Sequence, residues 1–288
     1  MGNIIDGKAL SAAVKEEVKA QVPELEARYG RKPCLVVIIV GENPASQVYV
    51  RNKVRAAEYV GIDSLKVELP ADTPEEALLE RIAALNADPA VDGILVQLPL
   101  PAHLDEQAAL AKILPEKDVD GFHLINAGHL MTGTEGVIPC TPKGALYMIR
   151  SAGIDLNGKE AVVIGRSNIV GKPMAMLLLR ENCTVTVCHS RTRNLAEHTR
   201  RADILVAAVG KAGFVTADMV KPGAIVIDVG INRVDGKVCG DVDFESIRDV
   251  AEAATPVPGG VGGATTAILA EHLVKAAKTC FSENYCVK

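Results

Sequence analysis

Tyr49 and Lys53 stand four residues apart in a segment that opens with a helix signal, Asn43 as cap and Pro44 in the first turn. Residues four apart share one helix face. The stripe continues through Ala56 and Val60, so Lys53 lies in an otherwise apolar or aromatic row, while Arg51, Arg55 and Glu58 take other positions. Such a lysine either snorkels from a core edge to water or is partly desolvated, and a desolvated amine can exchange protons near neutral pH. Gln97 follows the apolar run 93–96 and precedes Pro99 and Pro101. An amide at the carboxyl end of a buried strand lies where α/β sheets place ligands. In Lys117-Asp118-Val119-Asp120-Gly121 a carboxylate can accept two hydrogen bonds from the amidine-like edge of a heterocycle, although an isolated acidic loop is more often only solvated. The Asp-x-Asp-Gly order resembles the start of a calcium loop but lacks the Glu at the required spacing.

A second constellation suits a phosphate. Gly165-Arg166-Ser167-Asn168-Ile169-Val170-Gly171-Lys172-Pro173 joins an apolar strand-like run to a helical one. Glycine at such a corner lets backbone approach a phosphate, and the helix behind it offers free N–H groups and a positive dipole end. The glycines are six apart, unlike GxGxxG, so the turn is longer and the motif alone is weak. The next strand, 184–188, ends in His189-Ser190-Arg191-Thr192-Arg193. An NAD site would carry an acid there for the ribose hydroxyls; a hydroxyl and two guanidinium groups suit a ribose bearing an extra phosphate, hence NADP. Further on, the strand-like 226–231 ends in Gly230-Ile231-Asn232, and 256–263 form a glycine-rich turn opening a helix.

The elements that must hold these residues alternate. Strand-like runs at 34–40, 93–98, 161–165, 184–188, 204–209 and 224–229 interleave with helical patterns at 8–29, 44–60, 74–87 and 171–182. That order predicts an α/β protein with parallel sheets. The stretch 114–144 is rich in Gly and Pro without a clear strand, and 155–159 read as a turn before a fresh strand. We therefore expect two domains, 1–121 and 122–288, with the last helix, about 264–279, free to pack on either. Aromatics make up only 3% and Trp is absent, so the core must be aliphatic. A net charge of −5 disfavours nucleic acid as the main partner. Seven cysteines without CxxC or zinc spacing, and six scattered histidines, suggest reduced thiols in the cytoplasm and no metal. No leader pattern and no membrane-length apolar run are expected.

Taken in order, these segments resemble the bifunctional methylenetetrahydrofolate dehydrogenase/methenyltetrahydrofolate cyclohydrolase (FolD) family. The pieces that carry the resemblance are Gly41-Glu42-Asn43-Pro44-Ala45-Ser46 with Tyr49-Val50-Arg51-Asn52-Lys53, Gln97-Leu98-Pro99-Leu100-Pro101, 117–121, Pro139-Cys140-Thr141-Pro142-Lys143-Gly144, the Gly165–Pro173 turn, and 256–262. The resemblance implies a folate-binding catalytic domain and a Rossmann-type NADP domain with the active site in the cleft between them. It implies NADP-dependent oxidation of 5,10-methylenetetrahydrofolate and hydrolysis of the methenyl product to 10-formyltetrahydrofolate, within one-carbon metabolism, by a homodimer. Lys53 would transfer protons, modulated by Gln97, with Tyr49 bordering the folate and Asp120 gripping the pterin. Pro99, Gly259 and Gly260 would also touch substrate. Gly165, Arg166, Ser167, Ile169, Ser190, Arg191 and Ile231 would contact NADP. Gly263-Ala264-Thr265 stands where the family has Pro, an apolar residue and Thr, which bears on the rigidity of that turn. The alternatives are a dehydrogenase without the hydrolytic step, or a nucleotide-binding module without catalysis.

Overall fold

A computed structural model describes residues 2–285, with side chains through Phe281; Met1 and Cys286, which enter the leader and thiol readings, lie outside the described residues. In chain order the elements are β1 (Asn3–Ile4), α1 (Gly7–Tyr29), β2 (Cys34–Val40), α2 (Pro44–Tyr59), β3 (Asp63–Leu69), α3 (Glu75–Ala87), β4 (Gly93–Val96), α4 (Glu106–Lys112), α5 (Leu124–Thr132) and α6 (Cys140–Ser151). There follow β5 (Glu160–Ile164), α7 (Gly171–Arg180), β6 (Thr184–Cys188), α8 (Leu195–Thr199), β7 (Ile204–Ala207), β8 (Ile225–Asp228), β9 (Asn232–Val234), β10 (Lys237–Cys239), α9 (Phe244–Ile247), β11 (Ala253–Ala254) and α10 (Val261–Tyr285).

The chain forms two compact units: Ala12–Val137 with the segment from Thr266 onward, and the segment up to Ser11 with Ile138–Thr265. This grouping is not the linear split at 121/122, and the reason is pairing and packing at the two ends of the chain. β1 pairs in parallel with β11 and so adds a strand to the later sheet. In α10, the His272 ring meets the Val119 carbonyl at 3.0 Å, and Phe281 stacks on Tyr29 with ring centroids 4.1 Å apart.

In the first of these units three parallel strands run in the order β3-β2-β4. The central β2, Cys34-Leu35-Val36-Val37-Ile38-Ile39-Val40, is buried along its whole length, as expected for a strand covered on both faces. β3 was not legible as a strand. It is an edge strand, Asp63-Ser64-Leu65-Lys66-Val67-Glu68-Leu69, mostly half-buried or exposed, so its sequence carries no apolar run. An isolated parallel bridge from Ile94 to Asp118 lays the 117–121 segment beside β4. The stretch 114–144 is not strandless loop alone: it contains α5 and the start of α6. α5 is capped by the His123 ring, which accepts from Ile125 N at 3.1 Å, and ends on Gly133 at φ +76°.

The other unit has a sheet of six strands, all parallel, in the order β1-β11-β8-β7-β5-β6. The expected strands at 161–165, 184–188, 204–209 and 224–229 are its β5, β6, β7 and β8. α10 begins at Val261, three residues before the expected 264. Gly263-Ala264-Thr265 are therefore the first helical turn rather than loop. The Ser11 hydroxyl holds the Gly263 carbonyl at 2.9 Å, and the Thr141 and Thr265 hydroxyls meet at 3.1 Å, which fixes the turn without a proline.

One buried carboxyl in this unit makes stability depend on pH. Asp228 ends β8 at 3% exposure, and burial pushes its carboxyl up to about 6, against hydrogen bonds from Asp241 N and Val242 N and with the help of the Asp241 charge. The native state thus binds this proton more tightly than the unfolded chain, where the group titrates near 3.8. Its contribution to stability is full below 3.8, falls as the pH rises to about 6, and is flat beyond. A carbon-13 titration of the Asp228 side chain should show a midpoint near 6; a midpoint in the ordinary carboxylate range would remove the desolvation argument.

Candidate active site

In a sheet of parallel strands, ligands bind outside the carboxyl ends where the strand order reverses. The three-stranded sheet reverses beside its first strand: the chain leaves β2 for β3, then returns across β2 to β4. Gln97 lies at that point, one residue past β4, and its N–H donates to the Ile38 carbonyl at 2.9 Å. Its side-chain nitrogen donates to Leu98 O at 2.6 Å, while Oε1 is buried with no hydrogen-bond partner among the described residues. A buried acceptor left unpaired costs about 1–3 kcal/mol, so this oxygen is suited to a donor brought by a ligand. Pro99 is exposed just beyond it.

Lys53 reaches this end from α2. Asn43 caps that helix, its Oδ1 accepting from Ala45 N at 3.0 Å and Ser46 N at 3.1 Å, with Pro44 at the first position. Ser46, Val50, Ala56, Ala57 and Val60 are buried, so the helix has a fixed rotation. Lys53 Nζ meets Asp120 Oδ2 at 3.1 Å, with side chains 13% and 10% exposed. Tyr49, on the same face, keeps 39% of its surface open.

Asp118 and Asp120, alike in sequence, have different fates. Asp118 is buried at 2% exposure and accepts from Gly121 N (2.9 Å), His123 N (2.8 Å) and Asn126 Nδ2 (2.9 Å). Burial pushes its carboxyl up and those hydrogen bonds work against the shift. It is the clasp of the loop. Asp120, two residues past the bridge to Ile94, is left to pair with Lys53. Lys117 is also structural: its ammonium donates to the carbonyls of Leu85 (3.3 Å), Asn86 (2.8 Å) and Asp88 (2.8 Å) and closes the end of α3. The structure thus brings together Lys53 and Asp120, and puts Gln97 at the end of the strand that Asp118 bridges.

The other candidates belong to the six-stranded unit. Its chain leaves β5 for β6 and returns across β5 to β7, so the reversal lies between the carboxyl ends of β5 and β7. Gly165 sits there at φ +130°, and a Cβ on it would lie 2.3 Å from the Ala208 carbonyl oxygen, just after β7. The second glycine explains the six-residue spacing: a Cβ on Gly171 would fall 2.3 Å from Gly165 O, so α7 closes directly onto the strand end. Ser167 Oγ accepts from Val170 N at 3.2 Å and Gly171 N at 3.3 Å, shaping the turn before the helix. Arg166, Ser167 and Ile169 are exposed around it. At the end of β6, Thr192 Oγ1 accepts from His189 N at 2.9 Å and His189 Nδ1 from Arg191 N at 3.2 Å. The side chains of Arg166, Ser190 and Arg191 are exposed and hold no hydrogen-bond or ion-pair partner among the described residues. Ile231, after β8, is 44% exposed.

This end of the sheet fits a dinucleotide. The backbone at Gly165 packs against Ala208 too closely for any side chain, leaving bare main chain before the N-terminus of α7, and free cations and a hydroxyl stand at the end of the neighbouring strand. Gly259, at φ +114°, and Gly260 lie in the same unit, in a turn packed so closely on the start of α1 that a Cβ on Gly7 would fall 2.2 Å from Gly260 O.

Residues 5–120 match the tetrahydrofolate dehydrogenase/cyclohydrolase catalytic domain, and residues 139–281 the NAD(P)-binding domain of the same family. The chain is 60% identical over 276 residues to the bifunctional protein FolD of Bordetella avium, covering 96% of this chain and 97% of that one. The crystal structure of the bifunctional FolD methylenetetrahydrofolate dehydrogenase/cyclohydrolase of Campylobacter jejuni superposes with a TM-score of 0.95 at 50% identity, covering 97% and 99% of the two chains. The Trypanosoma brucei dehydrogenase-cyclohydrolase, solved with NADP and an inhibitor, gives 0.91 at 42% identity over 99% and 98%. With both halves matched in order and the sheet reversals in place to serve them, this chain belongs to the tetrahydrofolate dehydrogenase/cyclohydrolase family.

Proposed function

We propose that the protein oxidises 5,10-methylenetetrahydrofolate with NADP and hydrolyses the methenyl product to 10-formyltetrahydrofolate. The observation that carries this reading is the half-sequestered Lys53–Asp120 pair at the sheet reversal that also holds the unpaired Gln97 oxygen. When bound, NADP supplies a hydride acceptor for the methylene carbon. No protein base is needed for that step, only alignment. Gly165, Arg166, Ser167 and the N-terminus of α7 would hold the phosphates, Ser190 and Arg191 the extra ribose phosphate, and Ile169 and Ile231 the apolar ring faces.

Hydrolysis needs the residues of the first unit. Water adds to the methenyl carbon, its proton leaves by way of the Lys53 side chain, and the carbon–nitrogen bond then opens as a proton returns to the ring nitrogen. One water is consumed and one proton released. Asp120 has two oxygens and about four lone-pair sites, so it can grip the pterin edge while still orienting Lys53. Gln97 modulates Lys53 by offering its free oxygen to the substrate or the water. Tyr49 borders the folate ring, and Pro99, Gly259 and Gly260 make further folate contacts.

A homodimer is the assembly we favour, formed through the nucleotide unit. β6 is the edge of its sheet, with Val187 40% and Leu179 of the neighbouring α7 55% exposed. The working compartment is the cytoplasm. The described cysteines are free thiols, mostly buried, and among the described residues no helix is long and apolar enough to cross a membrane. Light scattering should give about twice the 30.4 kDa of one chain; a monomer at working concentration would refute the dimer.

Two assays test the chemistry, NADPH formation with methylenetetrahydrofolate and methenyl decay without nucleotide. Lys53→Met should slow methenyl decay at least about a hundredfold, the scale of a lost proton-transfer group, with NADP affinity unchanged. A wild-type decay rate in that variant would remove the role given to Lys53. Arg191→Ala should weaken NADP about tenfold or more, the scale of a lost charge-assisted hydrogen bond, and leave NAD nearly as before. Equal loss for both nucleotides would show that Arg191 does not read the extra phosphate.

A further inference from the structure

Asp241 follows the β9–β10 hairpin and has no exposed surface. Its carboxylate is saturated by four N–H donors, three from the loop after β7 and one from Asn232 at the start of β9. Oδ2 accepts from Val209 N at 2.6 Å and Gly210 N at 2.9 Å; Oδ1 accepts from Lys211 N at 2.8 Å and from Asn232 Nδ2 at 2.9 Å. Three successive backbone N–H groups converging on one anion form a nest. The first three donors lie on the loop after β7, directly beyond Ala208, against which Gly165 is packed. The fourth is the residue after Ile231. One carboxylate therefore ties the loop after β7 to the start of β9, the residue next to Ile231.

Asp241 is itself held. Asp228 Oδ1 accepts from Asp241 N at 2.9 Å and Gly230 N at 3.0 Å, and Oδ2 from Val242 N at 3.0 Å. The fit leaves no room for side chains: a Cβ on Gly230 would lie 2.1 Å from Asp241 Oδ1, and one on Gly240 would lie 1.7 Å from Asp228 Oδ2. Neither carboxylate reaches open solvent, so neither can touch the nucleotide.

We propose that Asp241 is a positioning residue for the dinucleotide: by fixing the 209–211 loop and Asn232 to one buried anion, it sets where Ile231 and the backbone beyond Ala208 meet the cofactor. The assignment rests on the nucleotide reading of this unit. It separates the two activities, because none of these groups lies in the unit that carries Lys53, Gln97 and Asp120.

Asp241→Asn keeps the shape but replaces one acceptor by an NH2 group, which must face either the Val209 and Gly210 N–H groups or those of Lys211 and Asn232. In either orientation two of the four N–H groups lose their acceptor and the buried amide nitrogen faces donors instead of acceptors. We expect KM and Kd for NADP to rise at least tenfold, with nucleotide-free methenyl hydrolysis within twofold of wild type. Asn232→Ala removes one of the four bonds without touching the buried carboxylate and should raise both constants severalfold with the same sparing of hydrolysis. It decides the matter if Asp241→Asn does not fold. NADP Kd is read by calorimetry and the melting temperature of each variant is recorded. A parallel loss of both activities with a lowered melting temperature, or an unchanged NADP Kd in folded protein, overturns the assignment. A wild-type protein that fails to bind NADP overturns the functional reading itself.

Discussion

A parallel strand inside a sheet has its backbone groups paired on both sides, and its neighbours stay beside it until the chain reverses direction. At the reversal the two connections leave toward opposite faces and a crevice opens at the carboxyl ends. Both units of this protein are built around that constraint. In one the reversal lies between β2 and β4, in the other between β5 and β7. Lys53, Gln97 and Asp120 gather at the first, Gly165 and its turn at the second. The chemistry rests on where the topology leaves backbone and side chains uncovered.

Burial then decides which charged groups remain available. A buried charge is tolerated only when it is paired or fully hydrogen-bonded. In the 117–121 segment, Lys117 meets this demand with three carbonyls and Asp118 with three N–H or amide donors. Both are thereby withdrawn from chemistry. Asp120 is the one carboxylate of the three charged residues whose partner is another ionisable side chain at the sheet reversal. The structural charges hold the loop and leave Asp120 paired with Lys53.

The nucleotide unit uses the same device with glycine as its complement. Gly165 and Gly171 let α7 approach β5 backbone to backbone, which makes the unusual spacing a steric requirement. Gly230 and Gly240 let Asp228 and Asp241 sit against the main chain and collect the N–H groups of three loops. Nothing in the sequence sets these two aspartates apart except that each stands near a glycine in or beside an apolar run, which is why they were not among the candidate residues.

The sequence by itself determined the alternating α/β order, the buried strands β2, β4, β5, β7 and β8, the edge strand β6, the Asn43–Pro44 start of α2 and the long turn at Gly165. These are local: aliphatic runs, caps and glycine corners act over a few residues. It also supplied the family resemblance, through motifs kept in order along the whole chain. The edge strand β3, the pairing of β1 with β11 and the helices within 114–144 escaped it, because their stability comes from neighbours distant in sequence rather than from an apolar period of their own. Only the tertiary structure gave Asp118 and Asp120 their different partners, found the unpaired oxygen of Gln97 and revealed Asp241 as the knot between the loop after β7 and the start of β9. Those distinctions are matters of desolvation and hydrogen-bond partnership, and both are fixed only when remote segments fold against one another.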